Sequence, residues 1–542
     1  MKNENMILWG MVLLFAVMMS VPFLIPHTGL FALLGFLPLL CMDRIATLLQ
    51  KKRVWVYHYS AFVLWNTFTT FWVCNATIGG GIFAILANSL QMSLVFGLFR
   101  WSKKKISGSL PYIFLMVTWI AWERFYFDAE ISWPWLVLGN SFARTTWAVQ
   151  WYEITGTLGG SLWIWLCNLG IFGMMTSMSD GRWSGWNMKA KSASAAGICI
   201  LFAAPLIISG LIGSKYQDSM TSSEDNLDVV IIQPNIDPYN KFQAMTQAQQ
   251  NGIFLSLAEK SLEYRKNDST AAPLLLLAPE TFTNDITCGD YGRSRTWKGF
   301  TDFLKDYPGV NLLFGASSFE YISSAERPTY TARRIGDGLW YESHNSALIT
   351  DGPERTEIFH KSRLVVGVEH MPYPRIFGPI DDMLGGVIGR CVGQEEVSLL
   401  NVAGNTGNIP VGCAVCYESV YGEYFTEYVR KGARAMTIIT NDAWWGNTPG
   451  YRQHLSYASL RSIETRRAIA RCANTGISAI ISPGGKILQS TPWWEQAVIE
   501  GQIPLRDDTT FYVSHGDITG RVCTFLFLLL LLALIVRFRT NR

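Results

Sequence analysis

The stretch Ile409-Pro410-Val411-Gly412-Cys413-Ala414-Val415-Cys416-Tyr417-Glu418 decides how the second half of the chain folds. Val411–Val415 has the length and apolar content of a buried strand, and a helix-like segment follows from Glu418 to Arg430. The reading is a strand that ends at Cys416 and a helix that begins near Glu418. Comparable runs rich in Val, Ile and Leu recur at Val229–Ile232, Leu274–Leu277, Leu312–Phe314, Ala347–Ile349, Met436–Ile439 and Ile477–Ile481, with a second helix-like stretch at Gln247–Lys266. Strands alternating with helices predict an α/β domain whose sheet is covered.

Upstream of this region the pattern changes. Crossing about 30 Å of hydrocarbon takes roughly 20 apolar residues. Seven such runs precede residue 214: Met6–Leu24, Leu30–Leu48, Trp55–Cys74, Gly81–Phe99, Leu110–Phe127, Ser161–Met178 and Ala195–Ile212. An eighth, Arg521–Val536, lies near the C-terminus. The first is read as a retained span, because no small-x-small cleavage site follows it. The polar segment Ser214–Asn226 reads as a linker. The expected division is 1–213 as a bundle of seven transmembrane helices, 214–520 as a catalytic domain outside the cytoplasm, and 521–542 as a C-terminal transmembrane helix with a cytoplasmic tail.

Basic residues set the orientation. Lys51, Lys52 and Arg53 follow the second run, and Arg100, Lys103, Lys104 and Lys105 follow the fourth. Arg182, Lys189 and Lys191 follow the sixth, and Arg537, Arg539 and Arg542 the eighth. The intervening loops carry almost none, Arg144 excepted. The positive-inside rule places both termini in the cytoplasm of a multi-pass inner-membrane protein. Only 16% of the 542 residues are charged, against about 25% in soluble proteins. The net charge of +3, with no basic stripe, argues against a nucleic-acid partner.

Three strand ends carry residues with chemistry. Cys413 and Cys416 form a C-x-x-C, but no second pair follows and the seven His are scattered, so redox and zinc readings are weak. Residues three apart on a strand face opposite sides, so the two thiols should not meet. Cys416 is either a thiol whose ionisation the helix N-terminus favours or a plain core Cys. Glu280, just past Leu274–Leu277, is either a general base raised by desolvation or a solvated loop residue. Lys361, after Phe359-His360, is either an oxyanion donor or a surface Lys. Together they supply a base, an oxyanion donor and a nucleophile, the minimum for acyl transfer through a thioester. Trp444-Trp445 and Trp493-Trp494 are either headgroup-level aromatics or domain core. Glu123 and Arg124 are intramembrane charges, hence functional candidates or a mutual ion pair.

Glu280, Lys361 and Cys416, in that order, resemble the Glu-Lys-Cys triad of the nitrilase superfamily. Cys416-Tyr417-Glu418, Asn441-Asp442-Ala443-Trp444-Trp445-Gly446, Arg471-Cys472-Ala473-Asn474-Thr475-Gly476, Ser132-Trp-Pro-Trp-Leu-Val-Leu-Gly139 and Val230-Ile-Ile-Gln-Pro-Asn-Ile236 are similar to segments of the apolipoprotein N-acyltransferase family. The chain departs from that family at Phe242, where Trp is frequent, at Cys472, and in Leu364–Glu369. The resemblance implies an αββα sandwich joined to an eight-span bundle. It implies Cys416 as nucleophile, Glu280 as base and Lys361 as oxyanion stabiliser. Glu369, Tyr417, Glu418, Asn441 and Asp442 are implied as supporting residues. Phe242, Trp444, Trp445, Glu123 and Arg124 are the substrate-binding candidates. The implied partners are a phospholipid acyl donor and the diacylglyceryl-cysteine of a lipoprotein as acceptor, with no metal and no cofactor. Two rivals remain: a membrane-anchored amidase that hands the acyl group to water, and a receptor or transporter with an external binding domain.

Overall fold

The computed structural model describes residues 2–216, 225–238, 245–268, 270–383, 389–405 and 407–540. It divides into two compact units. One is helical and comprises Met1–Lys215, Thr448–Leu460 and His515–Arg542; the other comprises Tyr216–Asn447 and Arg461–Ser514. The helical unit thus takes in a piece of chain from within the 214–520 stretch.

All eight apolar runs fall on helices. Six helices among the described residues are long and apolar enough to cross a membrane: Asn3–Leu24, Gly29–Leu48, Ile78–Ser102, Tyr152–Ser179, Met188–Ser214 and Ile518–Arg537. Two expected spans fall outside this set. The helix Val54–Thr70 has only 17 residues, and Leu110–Asp128 carries Glu123, Arg124 and Asp128. The second span is also broken, into Gly29–Phe31, Ala32–Gly35 and Leu37–Leu48. Pro38 at the start of the last piece favours the break, since it has no N–H to donate. Asn168 repairs it, accepting from Phe36 N–H at 2.9 Å and donating to Ala32 O at 3.0 Å. Such repair is what hydrocarbon demands of freed backbone groups. A ring cluster of Phe15, Phe36, Phe62, Trp65, Trp119 and Trp165 fills the unit's centre.

The second unit is built on two sheets. The strands in chain order are β1 (Asn226–Gln233), β2 (Leu274–Leu277), β3 (Thr283–Thr287), β4 (Val310–Ser323), β5 (Arg333–Gly336), β6 (Leu339–Gly352) and β7 (Arg355–His360). They continue with β8 (Leu400–Val402), β9 (Ile409–Val415), β10 (Ala435–Thr440), β11 (Ile469–Ala473), β12 (Ala479–Ile481), β13 (Ile487–Ser490) and β14 (Ala497–Pro504). One sheet runs β14-β1-β2-β4-β6-β5, with β3 also on β4 and β7 also on β6; the other runs β13-β12-β11-β10-β9-β8. Every strand run read from the sequence lies in one of these strands except Ile477–Ile481, of which only Ala479–Ile481 is strand.

The apolar runs are continuous because each sheet is covered on both faces. Val230, Ile232, Leu274, Leu276 and Phe314 pack against Phe254, Ala258 and Leu262 of the helix Gln247–Leu262 and Phe300 and Leu304 of the helix Arg295–Leu304. A capping box starts the first of these helices, with Thr246 Oγ1 accepting from Gln249 N–H and Gln249 Oε1 from Thr246 N–H. The two sheets meet face to face, and Cys472 Sγ of β11 lies 3.2 Å from Ile232 O of β1. Beyond the second sheet, the helix Gly422–Arg430 presses on β9 so closely that a Cβ on Gly412 would sit 2.9 Å from Tyr428 Cβ. The layers are helix, sheet, sheet, helix.

Candidate active site

Strands β2, β7, β9 and β10 each end just before a residue singled out from the sequence. β2 and β7 belong to the first sheet, β9 and β10 to the second. Carboxyl ends of strands in covered α/β sheets are where side chains can converge outside the core.

Glu280 follows β2 by three residues and is 7% exposed. Its loop lies against β4, where Gly315 N–H donates to Pro279 O at 3.1 Å and Phe282 N–H to Gly315 O at 2.8 Å. A Cβ on Gly315 would stand 2.5 Å from Glu280 Cα, so only glycine admits this approach. Lys361 follows β7 immediately and is fully buried. Its Nζ lies 3.3 Å from Glu280 Oε1 and 3.0 Å from Glu369 Oε1. Burial by itself would push the Lys361 ammonium down, but the carboxylates of Glu369 and Glu280 outweigh it and hold its pKa well above the ordinary value. Glu280 Oε2 accepts from Asn441 N–H at 3.0 Å, and Glu369 Oε2 accepts from Val365 N–H at 2.8 Å.

Cys416 follows β9 immediately, half-buried, with a left-handed backbone (φ 51°). A non-glycine residue held there is strained, a common feature of reactive turns. The helix expected near Glu418 starts later: Cys416–Val420 is a 3-10 turn, and the α-helix is Gly422–Arg430. The expected lowering of the thiol pKa does not follow either. Burial pushes the Cys416 thiol well up, the Glu280 carboxylate adds to this, and Lys361 opposes it. In this state the proton stays on sulfur. Cys413 is wholly buried and unpaired with Cys416, and burial pushes it up to about 12.

Glu418 explains why the turn exists. Its buried carboxylate accepts from Val415 N–H at 2.7 Å, Ser362 N–H at 2.6 Å, Arg363 N–H at 3.1 Å and Tyr424 Oη–H at 2.7 Å. One side chain thereby joins the residue before Cys416 to the residues after Lys361. Tyr417 is 4% exposed and packs edge-on against Tyr421 at 5.2 Å. Asp442 accepts from Thr440 Oγ1 at 2.8 Å and pairs with Arg471 at 2.6 Å, both ionic groups fully buried. Asn441 Oδ1 receives Asn474 Nδ2 at 3.3 Å.

Two residues here escaped the sequence reading. Asn345 on β6 donates to Glu280 Oε1 at 2.8 Å and Glu369 Oε1 at 2.7 Å. Its signal is the polar run Glu342-Ser343-His344-Asn345-Ser346, which adjoins the apolar Ala347–Ile349 in the same strand. Arg471, an Arg inside the buried strand β11, was legible in the same way. Trp444 is 38% exposed and Trp445 partly so, in the turn Asp442–Trp445. Phe242 lies outside the described residues. Glu123 and Arg124 belong to the helical unit and do not pair with each other. Glu123 accepts from Trp119 Nε1 at 3.1 Å and Leu138 N–H at 2.8 Å, whereas Arg124 Nε lies 4.0 Å from Asp517.

Residues 177–510 match the family model for carbon-nitrogen hydrolase, and residues 8–170 match that for the apolipoprotein N-acyltransferase N-terminal domain. The apolipoprotein N-acyltransferase of Chlorobaculum tepidum is 26% identical over 92% of this chain and 90% of that protein. That of Geobacter metallireducens is 25% identical over 86% and 82%, and apolipoprotein N-acyltransferase 2 of Treponema denticola 23% identical over 86% of each. A hydrolase-family model covering more than half the chain, joined to an N-terminal domain particular to one kind of acyltransferase, leaves one placement: the chain belongs to the carbon-nitrogen hydrolase family and, within it, to the apolipoprotein N-acyltransferases.

Proposed function

We propose that this inner-membrane enzyme moves an acyl chain from a phospholipid to the α-amine of a lipoprotein's N-terminal diacylglyceryl-cysteine, by way of a thioester on Cys416. The observation that carries the mechanism is the carboxylate pair Glu280 and Glu369 gathered on Lys361 Nζ, at the strand ends that flank the Cys416 turn.

In the first step Glu280 takes the thiol proton and sulfur attacks the ester carbonyl. The Lys361 ammonium, held protonated by its two carboxylates, stabilises the tetrahedral oxyanion. The carbon–oxygen bond breaks, the proton passes from Glu280 to the departing alkoxide, and lysophospholipid leaves. In the second step the amine attacks the thioester, Glu280 accepts its proton, and collapse forms the amide and returns the Cys416 thiol. Keeping the resting sulfur protonated suits this order, since a permanent thiolate would be open to oxidation and alkylation between turnovers. Glu369 fixes Lys361, and Glu418 with Tyr417 shapes the nucleophile's turn. Asn441 and Asp442 brace the neighbouring strand end. The candidates for receiving lipid are Phe242, Trp444 and Trp445 in the catalytic unit and, separately, Glu123 and Arg124 in the helical unit.

The orientation that serves this chemistry places both termini in the cytoplasm. Residues 214–520 then form the catalytic domain on the periplasmic side, between seven spans before it and one after. Helices shorter or more polar than the six apolar ones complete the eight by packing against their neighbours.

The family model's hydrolase description favours one alternative, acyl release to water. Incubating the enzyme with phospholipid alone separates the two. A transferase accumulates Cys416 acyl-thioester and one equivalent of lysophospholipid and then stops, until a diacylglyceryl-cysteine peptide or hydroxylamine discharges it. Continuous fatty-acid release without acceptor would establish the hydrolase instead.

A further inference from the structure

Cys288, His344 and His360 are scattered along the sequence, yet their ligand atoms lie within 4.8 Å of one another. Cys288 follows β3, and its N–H donates to Phe319 O of β4 at 2.9 Å. His344 lies on β6 and His360 ends β7, two strands paired antiparallel. The two imidazoles stack with centroids 4.2 Å apart. His344 is only 5% exposed. Its Nδ1 lies 2.9 Å from Val392 O; a carbonyl only accepts, so Nδ1 carries the proton and Nε2 the lone pair. That Nε2 is buried with no hydrogen-bond partner among the described residues, and the nearest acid, Glu320 Oε2, stands 3.9 Å away. His360 Nδ1 is held by Ser346 Oγ at 2.7 Å, which also meets Ser318 Oγ.

We propose that Cys288, His344 and His360 bind one divalent transition metal of the zinc class, with Glu320 or water as the fourth donor. A thiolate with two imidazoles is a donor set for zinc, not for magnesium or calcium. Metal–donor distances of about 2.0–2.3 Å draw the three atoms closer by side-chain rotation. The Cys288 S–H bond breaks, its proton goes to solvent, and a metal–sulfur bond forms. Val392 O and the Ser346 hydroxyl orient the imidazoles from behind, as outer partners of metal-bound His do. The metal ties β3, β6 and β7 together. Next to its ligands in sequence stand Asn345, on β6, and Lys361, just past the end of β7, which hold Glu280 and Glu369. The site is therefore a staple for the strands that carry the active-site network, and it does not depend on which acyl acceptor the enzyme uses.

The test uses the full-length chain in detergent, stripped with a chelator and carrying Cys416→Ala so that the active-site thiol cannot contribute, titrated with Co2+. One equivalent should produce a thiolate-to-cobalt charge-transfer band and tetrahedral d–d absorption, both displaced by Zn2+. Cys288→Ser should lose the charge-transfer band. His344→Gln should weaken binding about 10-fold or more. Cys391→Ser should keep both signals. Absence of the band in the parent overturns the proposal, as does its survival in Cys288→Ser or unchanged binding by His344→Gln. The parent titration decides even where a variant fails to fold.

Discussion

Asn345 Nδ2 lies 2.8 Å from Glu280 Oε1, linking residues 65 positions apart, and the same amide reaches Glu369 Oε1 at 2.7 Å. Two carboxylates this close repel each other. The arrangement persists because Lys361 supplies the counter-charge and Asn345 supplies donors aimed at both.

Replacing Asn345 by Leu keeps the volume and removes the donors. A hydrogen bond to a charged group is worth about 1.5–3 kcal/mol, so acyl transfer should fall roughly 10- to 100-fold. A thermal melt accompanies the assay: a loss of rate matched by a fallen melting temperature would assign Asn345 to folding alone.

Cys416→Ala, Glu280→Gln and Lys361→Ala should each abolish lipoprotein acylation in a peptide assay. Residues acting as one unit are non-additive, so the double variants should be little worse than the singles. Cys413→Ala should retain activity, its thiol being wholly buried and outside the cluster. Removing Lys361 leaves Glu280 and Glu369 unneutralised, so each variant is paired with a thermal melt.

Asp442 and Arg471 form a pair with neither side chain exposed to water. Arg471→Met strands a buried carboxylate and should cost about 3–5 kcal/mol of stability. Asp442→Asn in the same chain should restore part of that loss. Chemical denaturation of the solubilised protein checks both, and the coupling fails if the double variant is no better than Arg471→Met.

Burial, with Glu280 beside it, keeps Cys416 protonated at neutral pH, against the pull of Lys361. An ordinary thiol is half ionised at about pH 8.5. Alkylation of Cys416 by a small neutral reagent, followed by intact mass, should keep rising through pH 9. Glu280→Gln removes a charge that raises the thiol and should move the curve to lower pH. A plateau below pH 8 in the unaltered enzyme would contradict the protonated resting state.

Val411–Val415 and Leu274–Leu277 were legible as strands because a strand covered on both faces writes itself as an unbroken apolar run. The residues at their ends, Cys416 and Glu280, could be read for the same reason: the run stops where the backbone leaves the sheet. The eight apolar runs likewise marked helices, since length and apolarity are local properties. The order of the elements and the residue types available for chemistry were therefore in the sequence by itself. Tertiary structure alone decided the partners. Asn345 meets Glu280 through the β4–β6 and β2–β4 pairings, and Arg471 meets Asp442 through the β10–β11 pairing. Glu418 spends its carboxylate on Val415, Ser362 and Arg363, which is why the helix starts at Gly422 and not beside Cys416. Thr448–Leu460 joins the helical unit, where Gln453 accepts from Trp72 and Trp135. Local sequence sets period and burial, but which two distant side chains share a buried charge depends on strand register and loop closure, and these are set only when the whole chain packs.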